Sequence, residues 1–363
     1  CGLADPYRPG FPVGTDVGHL CLLGYNPLRV YSGRGPIEAY GAGIPLAAGD
    51  VAFRANFATV DGNFKVVDRR AGRIREGTRD LALALDGMQL SNGVTVRFCE
   101  CTEHRAALVL TGPGLSDRVP ETDPGGAREG ERVRFPAGSD ATSAALREFL
   151  IRAHEALSRH PVNAARAAQG LLPANFVLTR GAGRVKKIAP VTKTYGFTGA
   201  VVAGEVTVLA ECAMAGFETL SLPSFTANLD TDVSGKVDLA LEALETHEMV
   251  LLHFKGTDVA GHDNKPAAKA KFIERVDAAL GPLQDVKNST LVVVTADHST
   301  PCAVREHSGD PVPVLLSGPG VRADDVTGFG ERWCSRGGMG RLTSRDVFHV
   351  LLDLMGLIPK MGS

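Results

Sequence analysis

The second half of the chain alternates apolar runs with helical patterns, and this alternation most restricts the fold. From about residue 190, GAVVAG precedes the helical stretch VTVLAECAMAGF, and VDLALEALETH precedes the apolar run MVLLHF. A helical pattern over 267–280, the runs TLVVVTAD and PVPVLLSG, and a helical pattern over 344–355 follow. Strands that alternate with helices form a mostly parallel sheet with helices on both faces. This half is therefore predicted to have an α/β fold.

The first half has a different pattern. VAFRANFATV, FKVVD, VTVRFCE and RAALVLTG lie between Gly and Asn breaks and read as strands. A polar stretch over 112–140 is long for a plain loop, and a helix follows it with Asp140 or Ser143 as its N-cap. The length of 363 residues favours about two domains.

Composition excludes several classes of function. The net charge is −2 and no block of Lys or Arg occurs, which argues against binding to nucleic acid or anionic membrane. No apolar run approaches the ~18 residues that span a bilayer, and the first residues do not resemble a signal peptide. The seven cysteines form no metal-binding or disulfide pattern. We therefore expect a cytoplasmic protein with reduced thiols, and leave open whether it is a homo-oligomer.

Metal-ligating residue types follow the strands of the second half. Asp258 and His262 come after MVLLHF, Asp297 and His298 end the TLVVVTAD run, and His307 precedes PVPVLLSG. Ligands of an open α/β sheet bind outside the carboxyl ends of its strands. A single one of these residues is more often a hydrogen-bonded surface group, but five at successive strand ends indicate metal binding. Five candidates exceed what one ion with an open position needs, so two divalent ions are predicted.

Two-metal sites commonly perform phosphoryl transfer, which here would need a hydroxyl nucleophile. Thr15 is the candidate, because it lies in GTD before an apolar helical stretch. The motif alone favours a helix N-cap at Thr15, so the assignment as a nucleophile depends on the metal ligands.

Long motifs across the chain resemble those of the cofactor-independent phosphoglycerate mutases of the archaeal type, in the alkaline phosphatase superfamily. The matching stretches are GTDVGHLCLLGYNP, YSGRGPIEAYGAGI, GDVAFRANFATVD, VVDRRAGRI, EHRAALVL, LSDRVPETDP, FVLTRGAG, HFKGTDVAGHD, TADHSTPC, EHSGDPVPVLLSGPG and RGGMGRLTSRDVFHVLLDLMG. The resemblance implies an alkaline-phosphatase-like core formed by 1–45 and 186–363, with an inserted α+β lid domain over 46–185.

The resemblance also implies roles for individual residues. Asp258, His262 and His307 would hold one ion, and Asp297, His298 and Thr15 would hold the other; manganese is expected, with magnesium, cobalt or zinc as alternatives. Phosphoglycerate, the implied substrate, carries two anionic groups that Arg side chains bind in a bidentate manner. The implied substrate contacts are Arg54, Arg69, Arg70, His104, Arg105 and Arg180. Thr15 would carry the phosphoryl group as phosphothreonine while 3- and 2-phosphoglycerate interconvert.

Three features depart from the family pattern. The family begins with a strand that ends in Asp-Gly, and this sequence starts after that point, so we expect a truncated gene model or a fragment. Thr15 replaces the usual serine. Leu209 stands where we expect the family's lysine, with Lys187 or Lys193 as candidates to substitute for it.

These departures leave two alternatives open. A metal-dependent phosphatase or phosphotransferase on another small phosphorylated metabolite would release phosphate without forming 2-phosphoglycerate. A degenerate, non-catalytic member would bind metal without turnover.

Overall fold

The computed structural model describes residues 1–125, 130–184, 186, 188–286, 288–358, 360 and 362. The chain divides into two units, Cys1–Tyr31 with Lys187–Ser363 (unit 1) and Ser32–Lys186 (unit 2). The first boundary was predicted at residue 45, whereas residues 32–45 lie in unit 2. They belong there because Ala39 and Ile44 pack in an apolar cluster with Ala52 of the same unit.

Unit 2 is an antiparallel sheet covered by helices. Its strands are β2 (Val51–Val60), β3 (Val66–Asp68), β4 (Thr95–Glu100), β5 (Arg105–Thr111) and β6 (Phe176–Arg184). Its helices are α3 (Arg34–Gly41), α4 (Thr78–Leu83), α5 (Ala141–Ser158) and α6 (Pro161–Ala168). The strand order is β3-β2-β5-β4, and β6 also pairs with β2. All ten residues of β2 are buried, because it lies at the centre of the sheet.

Helix α5 shows how the sequence builds the core of unit 2. The side chain of Asp140 accepts a hydrogen bond of 3.0 Å from the amide of Ser143, so it is the N-cap. One face of the helix buries Phe149, whose ring lies 6.0 Å from that of Phe98 on β4. The apolar spacing that predicted this helix is therefore the spacing that packs it onto the sheet.

Unit 1 contains the remaining elements. The strands are β1 (Gly2–Asp5), β7 (Gly199–Val202), β8 (Glu218–Leu220), β9 (Met249–Leu252), β10 (Val292–Val294), β11 (Val312–Ser317) and β12 (Gly340–Thr343). The helices are α1 (Thr15–Leu22), α2 (Pro27–Val30), α7 (Val191–Tyr195), α8 (Val206–Met214), α9 (Val233–Ala243), α10 (Gly256–His262), α11 (Pro266–Ala279), α12 (Leu283–Val286), α13 (Glu331–Cys334) and α14 (Ser344–Leu354). The predicted α/β class is confirmed.

The strands of unit 1 form two groups. Strands β8, β7 and β9 are all parallel, whereas β10, β11, β1 and β12 form a mixed sheet in which β11 is antiparallel to both neighbours. Among the described residues, no hydrogen-bonded pairing joins β9 to β10. A largely apolar cavity of about 970 Å³ is lined by both strands, which explains why their residues are only half-buried.

Two further predictions concern the whole chain. All seven cysteines lie in the described part of the chain as free thiols. In the part of the chain that the structure describes, no helix combines the length and apolar character needed to cross a bilayer.

Replacing Phe149 by Ala tests the core of unit 2. We expect a loss of about 3–5 kcal/mol in the free energy of unfolding, because a fully buried aromatic ring is removed. Urea denaturation followed by circular dichroism measures the change. The control is Ile151→Ala on the same helix, where the side chain is 42% exposed and a much smaller loss is expected. Equal losses in the two variants would contradict this account of the core.

Candidate functional site

Three ligating side chains meet beyond the carboxyl end of β9. Asp258 and His262 lie one turn apart on α10, and His307 lies on the segment before β11. The Nε2 atoms of the two histidines are 3.1 Å apart, and each lies 3.4 Å from Oδ1 of Asp258. One atom from each of the three residues therefore surrounds a common point, as metal ligands do.

The hydrogen bonds of the two imidazoles show that this point suits a cation. Nδ1 of His262 lies 2.8 Å from the carbonyl oxygen of Arg305, and Nδ1 of His307 lies 2.8 Å from that of Val13. A carbonyl oxygen only accepts, so each Nδ1 carries hydrogen and each neutral ring turns a bare Nε2 toward Asp258. Without a metal ion, a proton shared between His307 and Asp258 can occupy this point, because the hydrogen bond to Asp258 raises the pKa of His307. Two imidazoles and one carboxylate fit a divalent ion such as manganese or zinc.

A second group lies beyond the carboxyl end of β10. Oδ2 of Asp297 and Oγ1 of Thr15 each lie 3.3 Å from Nε2 of His298. The ring of His298 stacks on that of His307 with centroids 3.8 Å apart, so the two groups are adjacent. The structure thus brings together Thr15 and all five residues selected as metal ligands from the sequence.

Thr15 reaches this group because α1 lies close to the carboxyl end of β10. It is the first residue of α1 and is 5% exposed. Gly18 lies one turn later, where a Cβ atom would be 2.6 Å from the carbonyl oxygen of Asp297. A larger residue at 18 would push the helix away, so this glycine sets the distance between Thr15 and the ligands.

Lys255 is a site residue that the sequence analysis missed. Its Nζ lies 2.8 Å from Oγ1 of Thr15 and 2.8 Å from Oδ2 of Asp258. Burial raises the pKa of Asp258, but the contacts of its carboxylate with His307 and Lys255 outweigh burial and hold that pKa well below its usual range. The signal was present in the sequence, since Lys255 lies in HFKGTD beside two predicted ligands.

The positions considered for the family's lysine were those of Leu209, Lys187 and Lys193. Leu209 packs against an apolar cluster from its place on α8. Lys193 is exposed on α7, and Lys187 lies outside the described residues. The positive charge next to Thr15 comes instead from Lys255.

His19 is a second missed residue. Its Nδ1 lies 2.8 Å from the carbonyl oxygen of Thr15 and 3.4 Å from Oδ2 of Asp297. The ring is buried and lies edge-on to that of His253, with centroids 5.1 Å apart. His19 therefore links the first turn of α1 to the carboxylate of the second group.

Unit 2 contains a separate cluster of positive charge. Arg54 on β2 lies directly opposite Arg180 on β6, and Arg105 on β5 lies opposite Asn56. Arg54 is 8% exposed, and Glu38 lies 3.4 Å from it. Burial, with a further contribution from Arg180, lowers the pKa of Arg54 to about 9 despite Glu38. Like charges directly opposite each other destabilise a sheet, so this arrangement suits the binding of an anion.

The other predicted substrate contacts differ in their surroundings. Arg69 is buried and forms a bidentate pair with Asp123, at 2.6 and 2.5 Å. Arg70 is exposed. His104 is buried, and burial together with neighbouring arginines lowers its pKa to about 4, so its imidazole is neutral at pH 7. His104 and Arg70 therefore adjoin the positive cluster, whereas the guanidinium of Arg69 is held by Asp123.

Comparisons with known proteins agree on one family. Residues 1–163 match the sequence profile of 2,3-bisphosphoglycerate-independent phosphoglycerate mutase. A curated protein of that name from Methanoculleus marisnigri is 44% identical over 371 residues, which cover 100% of this chain and 89% of the relative.

Solved structures extend the comparison to the fold. A protein from Pyrococcus horikoshii has a TM-score of 0.85 and 34% identity, over 100% of this chain and 88% of the other. The cofactor-independent phosphoglycerate mutase from Thermoplasma acidophilum has a TM-score of 0.69 and 33% identity, over 97% and 88%. With this identity over its whole length, and with a hydroxyl surrounded by ligating side chains, the chain belongs to the 2,3-bisphosphoglycerate-independent phosphoglycerate mutases, a family of isomerases.

Proposed function

We propose that this chain interconverts 3- and 2-phosphoglycerate by way of a phosphothreonine at Thr15. The position of one oxygen carries the proposal. Oγ1 of Thr15 lies 2.8 Å from Nζ of Lys255 and 3.3 Å from Nε2 of His298, beside both groups of ligands. The names of the relatives supply the substrate. The seven unpaired cysteines support a reducing compartment, and we assign the reaction to the cytoplasm.

Two divalent ions complete the proposed site, with manganese as the expected metal. Asp258, His262 and His307 would hold one, and Asp297, His298 and Thr15 would hold the other. When bound, the ions supply positive charge that stabilises the oxygens of the transferring phosphoryl group.

The residues of the chain have separate tasks in the transfer. A bond forms between Oγ1 of Thr15 and phosphorus as the bond between phosphorus and the C3 oxygen of the substrate breaks. Thr15 loses a proton and the C3 oxygen gains one. A bond then forms between the C2 oxygen and phosphorus as the bond between phosphorus and Oγ1 of Thr15 breaks. The C2 hydroxyl loses a proton and Oγ1 of Thr15 regains one, so no proton is gained or lost overall. Lys255 stabilises the negative charge that develops on Oγ1 in both steps.

Glycerate has to remain bound between the two steps, and we assign this binding to unit 2. Arg54, Arg105 and Arg180 are proposed to bind the carboxylate and phosphate, with Arg70 and His104 beside them. Arg69 is proposed to shape the site through its pair with Asp123. We propose that unit 2 is the lid that excludes water, because water would turn the transfer into hydrolysis.

Thr15 variants with metal removal test the proposal. We expect Thr15→Ala to lower kcat by at least about 10³-fold, since the nucleophile is lost, and Thr15→Ser to retain transfer. An enolase-coupled assay measures turnover, and mass spectrometry of the quenched protein detects the phosphoryl adduct. A chelator should abolish activity and manganese should restore it. Formation of free phosphate without 2-phosphoglycerate would instead support the phosphatase alternative.

Removal of the Lys255 ammonium tests its role in transfer. We expect Lys255→Ala to lower kcat by about 10²–10³-fold with little change in KM, because the charge acts on an oxygen that becomes negative in the transition state. The control is Lys265→Ala, which removes an exposed lysine paired with Asp263. Steady-state kinetics separate kcat from KM. A rise in KM alone would show that Lys255 only binds substrate.

The Arg180→Met substitution tests the proposed anion-binding site of unit 2. Loss of a charged hydrogen bond to substrate is expected to raise KM about 10–100-fold in Arg180→Met. The same variant should keep or increase the stability of unit 2, since it removes one of two opposed charges. Arg132→Met, which removes an exposed arginine of the same unit, is the kinetic control. An unchanged KM in Arg180→Met would remove this residue from the proposed site.

A further inference from the structure

The hydroxyl of Thr300 lies between the two groups of ligands. Its Oγ1 is 2.6 Å from Oδ1 of Asp258 and 3.2 Å from Nδ1 of His298. Thr300 is 4% exposed, so water does not compete at this position. One hydroxyl therefore contacts a residue from each proposed ion site.

The direction of these hydrogen bonds follows from the carboxylate. Asp258 is ionised because Lys255 lies 2.8 Å from its Oδ2, and an ionised carboxylate only accepts. Thr300 must then donate its single hydrogen to Oδ1, which leaves an oxygen lone pair for a donor on His298. The hydrogen of the neutral His298 ring is thereby held on Nδ1. Its Nε2 is left bare toward Thr15 and Asp297, each 3.3 Å away.

Close packing holds the hydroxyl in this orientation. A Cβ atom at Gly261 would lie 2.9 Å from Cγ2 of Thr300 and 2.4 Å from its carbonyl oxygen, so α10 packs tightly against this residue. Lys269 donates to the same carbonyl oxygen at 2.9 Å. A β-branched side chain has few χ1 states, and the hydrogen bonds to Asp258 and His298 select the state that this packing also allows.

We propose that Thr300 is a positioning residue that sets the tautomer of His298 and holds Asp258, so that both groups present their ligand atoms together. It touches neither substrate nor reacting atoms and acts through these two side chains. The inference rests on the proposed function for the identity of the ligands. Residues that hydrogen-bond to metal ligands commonly contribute about 10–100-fold to metal affinity.

Two substitutions separate the hydroxyl from the shape of the side chain. Thr300→Val keeps the branched form and removes the hydroxyl, whereas Thr300→Ser keeps the hydroxyl and removes the methyl group. A matched control is Thr246→Val, because Oγ1 of Thr246 also lies 3.0 Å from a histidine Nδ1, that of His247, at the opposite end of β9. Thr300→Ala provides a second hydroxyl-free variant in case the valine variant does not fold.

The experiment measures the ring nitrogens of His298 by ¹⁵N NMR, manganese affinity by titration calorimetry, and kcat and KM by the enolase-coupled assay, on the full chain. For Thr300→Val we expect loss of the Nδ1–H tautomer of His298. Manganese affinity and kcat should each fall about 10–100-fold, with KM changed less than about threefold. Thr300→Ser should stay within about threefold of the original chain, and Thr246→Val should match it.

Two results would overturn the proposal: an unchanged His298 tautomer with unchanged manganese affinity in both hydroxyl-free variants, or a Thr300→Ser variant as impaired as Thr300→Val. Failure of the proposed function gives a different result. In that case the original chain would bind manganese and show the Nδ1–H tautomer, the Thr300 variants would alter both, and no variant would form 2-phosphoglycerate.

Discussion

Electron-pair donors crowd together at the carboxyl ends of β9 and β10, and positive charge is needed to hold them there. Three ligand atoms of Asp258, His262 and His307 lie within 3.4 Å of one another. Lys255 supplies one charge from the protein, and it contacts Asp258 and Thr15 at the same time. Lys255 therefore links the hydroxyl of Thr15 to the first ligand group. Repulsion between the electron pairs of these ligand atoms remains, and it favours a cation at the point where the atoms converge.

This arrangement requires backbone segments to approach more closely than ordinary side chains allow. Gly18 lets α1 approach the end of β10, and Gly261 lets α10 pack against the loop that follows β10. Each glycine faces a backbone carbonyl oxygen, that of Asp297 or of Thr300, so neither neighbour can move aside cheaply. Packing thus sets the distances on which the electrostatics depend, and the same packing orients the Thr300 hydroxyl.

The sequence predicted the parts of this structure that have local causes. Helix α5 has clear helical periodicity and an N-cap at Asp140, and the run VAFRANFATV reads as strand β2. The metal-ligating residue types follow apolar runs because strand ends face the site. The mixed sheet could not be predicted, since an apolar run such as β11 does not reveal the direction of its neighbours. Strand β1 was missed because GLAD is short and only its pairing with β11 and β12 makes it a strand. Lys255 was overlooked because the lysine was sought by family position at Leu209 rather than by distance from Asp258.

The cluster of positive charge in unit 2 is visible only in the structure, because the register of the strands creates it. In the sequence, Arg54 and Arg180 are separated by more than a hundred residues, and each by itself reads as a solvated charge. In the sheet they lie directly opposite each other, and Arg54 is almost completely buried. Glu38 lies close enough to offset part of this repulsion, but Arg180, Arg34 and Arg105 all repel the charge of Arg54. A sheet that keeps this imbalance at its most buried strand gives up stability that a bound dianion would restore.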